Sequence, residues 1–445
     1  ALDTTNQQHC ALSQTGLVMS RTYGSGEDGN YLLESWFRDH GGVVEKVRVV
    51  DLGGDLSLSM VAVEDIRMGD VVMEIPLSLC MTVDTAVASE LKEVLDASPA
   101  LLDAQDEVLA LHLMHEMRKQ EASFWVHFIR TLPEDVDTPL RWSEEDRLGL
   151  KGTMVGLLSG MMEKQVHKDW EEIHKPLVDR FPHLLGSLCL KDYLWAMHSI
   201  WSRAFSYEDK DGISHRAMVP LINAANHHPK AAGSLSEMIG LLDSGEAVTV
   251  SGAELSRAGE LEQGRGVDKR EGKRLVVYAG KDYASEEQFY LLYGHYSNSK
   301  LLYSYGFVLK DNPYGRIDFW VRLPQSDPGF AWKRRLLDGH ELTKHQAFDF
   351  SGTLRAGGWV SPALLATARV CQLTEEERPA ALNAFVGMAV TPRNEAAALS
   401  SLASQLHRKL SSQGRSLEEE LDLIHALECQ SLPCPTWKSN IDAKG

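Results

Sequence analysis

Tyr278 to Phe307 read YAGKDYASEEQFYLLYGHYSNSKLLYSYGF. A short apolar run, Leu275-Val276-Val277-Tyr278, leads in as a strand, and Ala279-Gly280-Lys281-Asp282 breaks it as a turn. Glu286 and Glu287 open a second apolar run, Phe289-Tyr290-Leu291-Leu292, which ends at Tyr293-Gly294. A loop follows, then Leu301-Leu302-Tyr303-Ser304-Tyr305-Gly306-Phe307. The two Tyr-Gly steps put two phenols at element ends, where side chains tend to face a cleft. The same tyrosines also suit rim or core positions, so the motif has to be weighed with the rest of the chain.

Working outward, the 445 residues suffice for two or three domains, and 43% hydrophobic with 24% charged is ordinary for a soluble globular protein. No run of 18 or more apolar residues exists, so no transmembrane helix is expected. A net charge of −18 argues against nucleic acid as a partner. It favours a basic partner such as a lysine-bearing peptide, unless it serves solubility alone. Six cysteines, at 10, 80, 189, 371, 429 and 434, form no CxxC pair, so no metal is expected and the thiols read as reduced and intracellular. Residues 1–30 are polar and Gly/Ser-rich, a flexible lead-in whose first residue, Ala1, reads as a processed or trimmed start.

Tyr31 to Arg38 has the spacing of a short amphipathic helix stopped by Gly41-Gly42, and Val43 to Val50 alternates as a strand. Ser57 to Thr82, SLSMVAVEDIRMGDVVMEIPLSLCMT, is a second patterned stretch. From Thr85 to about Lys191 the periodicity is helical, with Val108, Leu109, Leu111, Leu113, Met114 and Met117 as a broad apolar stripe. His112, His115 and His127 lie in this region, but no carboxylate or cysteine recurs at ligand spacing. Residues 228–275 are Gly/Ser/Ala/Glu-rich and read as an expanded surface loop ending in the charged patch 268–274. Beyond Asp311 the pattern is helical again. Leu399, Leu402, Leu406 and Leu410 form one stripe, and Ser416 with Glu419 forms a capping box ahead of Leu417, Leu421 and Ile424.

These stretches together resemble the SET-domain methyltransferases, in the branch of the plant Rubisco large-subunit lysine methyltransferase. Residues 286–307 follow that branch's GEE(V/I)(F/Y)xxYGxxSNxxLLxxYGF, with Glu286 in place of the leading glycine. Ser57 to Thr82 follows GxGLVAxxDIxxGExxxxIPxxLxMT, with Ser57 and Ser59 in place of both first glycines. Trp195 to Phe205 follows WA....SRAF, Met218 to His227 follows LVPxxDxxNH with Asn223 for the Asp, and Trp125 to Trp142 follows W..Y...LP....P..W.

The resemblance implies an α+β protein: a SET-domain β-fold with pseudoknot over residues 31–310, with a helical insertion about 85–191. An all-α domain of the Rubisco-methyltransferase substrate-binding type follows at 311–445. It implies S-adenosylmethionine as cofactor, held by the Ser57-Leu58-Ser59 loop, Arg203, Asn226 and His227. Tyr293 is the implied catalytic residue, and Asn223, Tyr305 and Phe307 line the way for the substrate. An arginine fork suits a carboxylate such as the cofactor's methionine end. An Asn amide suits an adenine edge. A tyrosine-lined channel desolvates an amine toward its neutral form.

Three functions remain open at this point. One is protein-lysine N-methyltransfer. Another is a pseudoenzyme serving as a binding or structural subunit of a larger assembly, prompted by Ser57/Ser59, Asn223 and Glu286. The third is methylation of a histidine, as one relative in the branch performs on actin. Glycines lost at 57 and 59 lead to an expectation of strain at positive φ in that loop.

Overall fold

The computed structural model describes residues 27–52, 58–134, 136–231, 239–243, 246–249, 272–340, 347–349 and 360–411, with Ser416, Glu418, Glu419 and Asp422 beyond them. Ser57, the lead-in before Glu27, most of the charged patch and the leucines after Ser416 lie outside these residues. The chain divides into two compact units, one of residues 1–136 with 163–295 and one of 137–162 with 296–445. The sequence boundary at 310 therefore falls inside the second unit, and part of the expected helical insertion belongs there too.

The strands run in order β1 (Val43–Val44), β2 (Val47–Asp51), β3 (Leu58–Ala62), β4 (Val71–Pro76), β5 (Met81–Thr82), β6 (Ala204–Glu208), β7 (Ser214–Met218), β8 (Asn226–His227), β9 (Ile239–Asp243), β10 (Glu246–Thr249), β11 (Lys273–Tyr278), β12 (Gln288–Leu291), β13 (Arg316–Asp318) and β14 (Ala347–Asp349). The first unit holds three sheets, ordered β1-β4-β11-β9-β10, β2-β3-β12-β8 and β5-β7-β6. The single strand expected over Val43 to Val50 is two strands, because β1 pairs with β4 and β2 with β3 in different sheets. The apolar run of β11 forms the centre of the first sheet: Leu275 to Tyr278 are all buried between β4 and β9. The Gly/Ser-rich stretch expected as a loop contributes the hairpin β9–β10 to that sheet.

Between β5 and β6 the chain is helical. In the helix Gln105–Lys119 every residue from Val108 to Met117 is buried, the histidines included. Burial all round, with His112, His115 and Glu116 among the apolar side chains, places this helix at the centre of a core. It packs on the helix Leu190–Arg203, and the two share a core with Phe37, Met60, Tyr193 and Phe289. Two tryptophans act as pins: Trp125 Nε1 donates to the Leu79 carbonyl at 2.8 Å, and Trp195 Nε1 to that of Pro133 at 3.0 Å.

Among its described residues the regular elements of the second unit are helices and the antiparallel pair β13–β14. Its helices include Asn298–Tyr305, Phe330–Asp338, Pro362–Cys371 and Pro392–Ser411. Ser361 caps one of them by accepting from the Leu364 amide at 3.2 Å, with Pro362 at the first helical position, where its missing N–H costs nothing. On Pro392–Ser411 the buried face is Asn394, Ala398 and Leu402, while Leu399 and Leu410 face solvent. The leucine stripe thus overstates that face. Ala398 lets the helix sit close to Phe319, Leu364 and Ala368, and Arg369 clamps Glu395 through two bonds of 2.6 and 2.8 Å. The capping box is present: the Ser416 amide donates to Glu419 Oε2 at 2.6 Å, and the Glu419 amide to Ser416 Oγ at 3.2 Å.

Candidate active site

Strand pairing assembles the site in the first unit. β12 runs parallel to β8, setting Tyr290 opposite Asn226 and Leu291 opposite His227. It runs antiparallel to β3, setting Phe289 opposite Met60 and Gln288 opposite Val61. The asparagine–histidine motif, the serine loop and the tyrosine motif are thereby neighbours across one sheet. Beyond Leu291 the Tyr293 amide donates to His227 Nδ1 at 3.1 Å, and the two rings lie 5.2 Å apart. The Tyr293 hydroxyl donates to the Ala225 carbonyl at 3.0 Å.

That geometry fixes protonation states. Burial lowers His227 to about 4, so its ring is neutral at pH 7, and Nδ1 accepts the Tyr293 amide proton. Burial raises the Tyr293 phenol, against an opposing pull from Arg203. Tyr293 therefore stays a neutral phenol and cannot serve as a phenolate base near pH 7.

Arg203 ends the helix Leu190–Arg203, where the helix dipole favours a cation. Its Nη1 donates to the Asn223 carbonyl at 2.9 Å, while its buried Nε has no partner. Burial pulls its pKa down, and among the described residues no carboxylate pairs with it. A buried cation without a counterion is costly unless a ligand supplies one. Asn223 is 7% exposed, and neither polar atom of its side-chain amide has a partner. As an amide it brings no charge to the guanidinium beside it.

Ser59 departs from the expectation of strain. It lies inside β3 opposite Val50, and it is not among the described non-glycine residues with positive φ, which are Gln120, Ser187, Leu221 and Glu286. Its hydroxyl is fully buried and accepts from Asn226 Nδ2 at 2.8 Å and Gln288 Nε2 at 3.2 Å. Leu58, beside it, packs partly buried against the core. Strain sits instead at Glu286, whose φ is +66°. The Glu287 amide donates to the Ala284 carbonyl at 3.0 Å, so Glu286 is the third residue of a tight turn, where positive φ calls for glycine. Its carboxylate meets Arg48 at 2.7 Å on the surface, which returns less than about 1 kcal/mol.

Replacing Ser59 with Ala is expected to destabilise the protein by about 1–2 kcal/mol, since two amide donors lose one acceptor. Urea unfolding of the variant measures this; an unchanged midpoint would show that both amides find other partners.

Gln288 was not singled out by sequence. Its face is readable from β12, where Phe289 and Leu291 are buried while Gln288 and Tyr290 alternate to the other side. The Tyr290 hydroxyl donates to Gln288 Oε1 at 2.7 Å, orienting the amide toward Ser59. Tyr305 and Phe307 lie in the second unit. There Tyr305 stacks on Tyr296 at 6.1 Å and stands 6.2 Å from Phe307. Gly306 follows at φ +82°, and a Cβ on it would meet the Asp137 carbonyl oxygen at 2.3 Å, so the second Tyr-Gly step is sterically required.

The fold is that of a SET domain followed by a helical domain. The SET domain of LSMT bound to lysine and AdoHcy superposes with a TM-score of 0.68 at 20% identity, covering 92% of this chain and 86% of that one. Rubisco LSMT bound to AdoMet gives 0.64 at 20% identity, covering 89% and 84%. Residues 324–432 match the family model of the Rubisco LSMT substrate-binding domain, as the resemblance implied for residues 311–445. Actin-histidine N-methyltransferase of Callithrix jacchus is 27% identical over 351 residues, covering 78% of this chain and 53% of that protein. The Xenopus tropicalis protein is 26% identical over 360 residues, covering 80% and 55%. The chain spans about half the length of these curated relatives.

Proposed function

We propose that this chain is a protein methyltransferase that uses S-adenosylmethionine and acts on a lysine side chain. The observation that carries the cofactor assignment is Arg203, a buried guanidinium whose Nε lacks a partner and which no described carboxylate neutralises. A methionine carboxylate matches it in charge and fork geometry. Asn226, held by Ser59, and the neutral His227 present polar edges suited to adenosine. Asn223, with both side-chain polar atoms unsatisfied and buried, gains from any ligand group that reaches it.

When bound, S-adenosylmethionine would supply a sulfonium methyl carbon for in-line attack by an amine nitrogen, with the neutral thioether as leaving group and no covalent intermediate on the protein. The chain's task is then alignment and desolvation. Tyr293 suits this as a neutral dipole locked by the Ala225 carbonyl and the His227 ring. Burial favours the neutral amine, its ammonium proton passing to water before the attack, so no side chain is assigned to hold that proton. Tyr293→Phe is expected to lower turnover by about tenfold or more while leaving cofactor affinity within twofold, because the hydroxyl orients the reacting groups. Turnover at the wild-type rate would make Tyr293 a packing residue.

The same fold also supports histidine as the target, which the sequence relatives named actin-histidine N-methyltransferases favour. Mass spectrometry of proteins methylated in an extract with and without this chain separates the two readings by the modified residue. Calorimetric titration with S-adenosylmethionine tests the shared premise: absence of binding would leave the structural-subunit reading standing.

A further inference from the structure

The second unit carries a groove that the chemistry above does not use. Two adjoining cavities of about 450 and 480 Å³ share Trp320 and Arg322 in their walls. Large apolar side chains line it and stay open to solvent, with Leu157 51%, Met161 50% and Trp320 38% exposed. Arg322, Arg408 and Lys409 stand among them, the Lys409 ammonium 5.6 Å above the Phe319 ring. Among the described residues the smaller cavity is lined by these three cations and no carboxylate. In the larger one Asp338 is already paired with Arg334 at 2.8 Å. A cationic groove in a chain of net charge −18 runs against the protein's own balance.

We propose that this groove docks an acidic segment with large apolar side chains, and that the segment belongs to the protein substrate, away from the residue that is methylated. The second half of that statement rests on the methyltransferase reading; the first does not. Exposed Leu, Met and Trp grouped in one concavity mark a surface that gains by burial, and methionine adapts its shape to what enters. The cations add register and attraction for carboxylates. Net charge favours a basic partner at long range, but this surface selects the opposite sign locally. A nucleic acid would need many more cations to overcome the chain's overall repulsion. A bilayer surface would need the apolar side chains to project from the surface, and here they line a concavity.

The test is fluorescence anisotropy on the full chain, without cofactor. The probe is a fluorescein-labelled peptide in which Leu and Phe alternate with pairs of Glu, compared with its counterpart carrying Lys for every Glu. The acidic peptide is expected to bind at least about tenfold tighter than the basic one, with the gap narrowing as salt rises. The double variant Arg322→Glu/Arg408→Glu is expected to reverse the preference at unchanged S-adenosylmethionine affinity, which also reports that it is folded. Equal binding of both peptides, or none of the acidic one, overturns the proposal even if the variant cannot be made. Preferred binding of a single-stranded oligonucleotide or of anionic vesicles over the acidic peptide overturns it as well. Peptide binding by a chain that fails to bind S-adenosylmethionine supports the groove and removes only the substrate assignment.

Discussion

Replacing Arg203 with Met is expected to weaken S-adenosylmethionine binding by about 100-fold or more while leaving the folded protein nearly as stable as before. The two effects part company for a physical reason. In the unliganded protein the guanidinium is desolvated, donates one bond to the Asn223 carbonyl, and has no partner at Nε. Removing a buried charge that nothing neutralises, and filling its volume with an apolar side chain, is commonly neutral or stabilising. Loss of the Asn223 bond costs on the order of 1 kcal/mol in the other direction. A bound carboxylate, by contrast, would lose a charge-assisted fork, an interaction among the strongest available to a protein. Calorimetry with S-adenosylmethionine and urea unfolding of the same two proteins measure both sides. An analogue without the carboxylate should bind wild type and variant alike. If the variant binds S-adenosylmethionine normally, or if it loses several kcal/mol of stability, Arg203 is a structural residue.

Sequence carries the candidate site as far as contiguous motifs reach. Tyr293, Arg203, Asn226 and His227 were legible because each sits in a run of several matched residues. What joins them was not. The Asn226 bond to Ser59 crosses 167 positions, and it exists because β12 pairs with β3 on one edge and β8 on the other. A serine in place of a glycine could be read only as a lost freedom. In the fold it is an acceptor shared by two amides, on ordinary strand backbone. Of the two described positions where the resemblance has glycine and this chain another residue, Ser59 and Glu286, Glu286 alone takes a positive φ, so the strain lies at the turn and not on the strand. The hairpin β9–β10 was missed for a related reason: a Gly/Ser-rich composition says loop, whereas β11 offers an edge with which any adjacent extended segment can pair. On the helix Pro392–Ser411 the leucines drew attention, yet Ala398 and Asn394 face the core. Close packing can favour a small side chain that a hydrophobicity pattern ranks low.

Lowering the pH from 7 to 5 is expected to cost the fold about 4 kcal/mol through two histidines, His112 and His227, to which His127 and His228, also lowered by burial, add. His112 is fully buried in the helix Gln105–Lys119, with neither ring nitrogen bonded and its ring edge-on to Trp125 at 5.0 Å. Burial lowers it to about 3, and burial lowers His227 to about 4. In the unfolded chain both titrate near 6.5. Below that value the unfolded state takes up two protons that the folded state refuses, so stability falls as the pH drops and is fully present only above about 7. Each group contributes roughly 2 kcal/mol of the loss by pH 5, at about 1.4 kcal/mol per unit. Carboxylates held low by a partner, such as Glu377 at about 2 beside Arg393, act only at lower pH and do not confuse the window. His112→Leu is expected to remove about 2 kcal/mol of the acid loss, since it deletes one titrating group and no hydrogen bond. Urea midpoints at pH 7, 6 and 5 for both proteins decide it. A wild-type midpoint that stays flat across that range would mean that water or a shifted helix solvates these rings in solution. A variant that parallels the wild type would place the acid sensitivity on other groups, with His227 next to be tested because it orders Tyr293 directly.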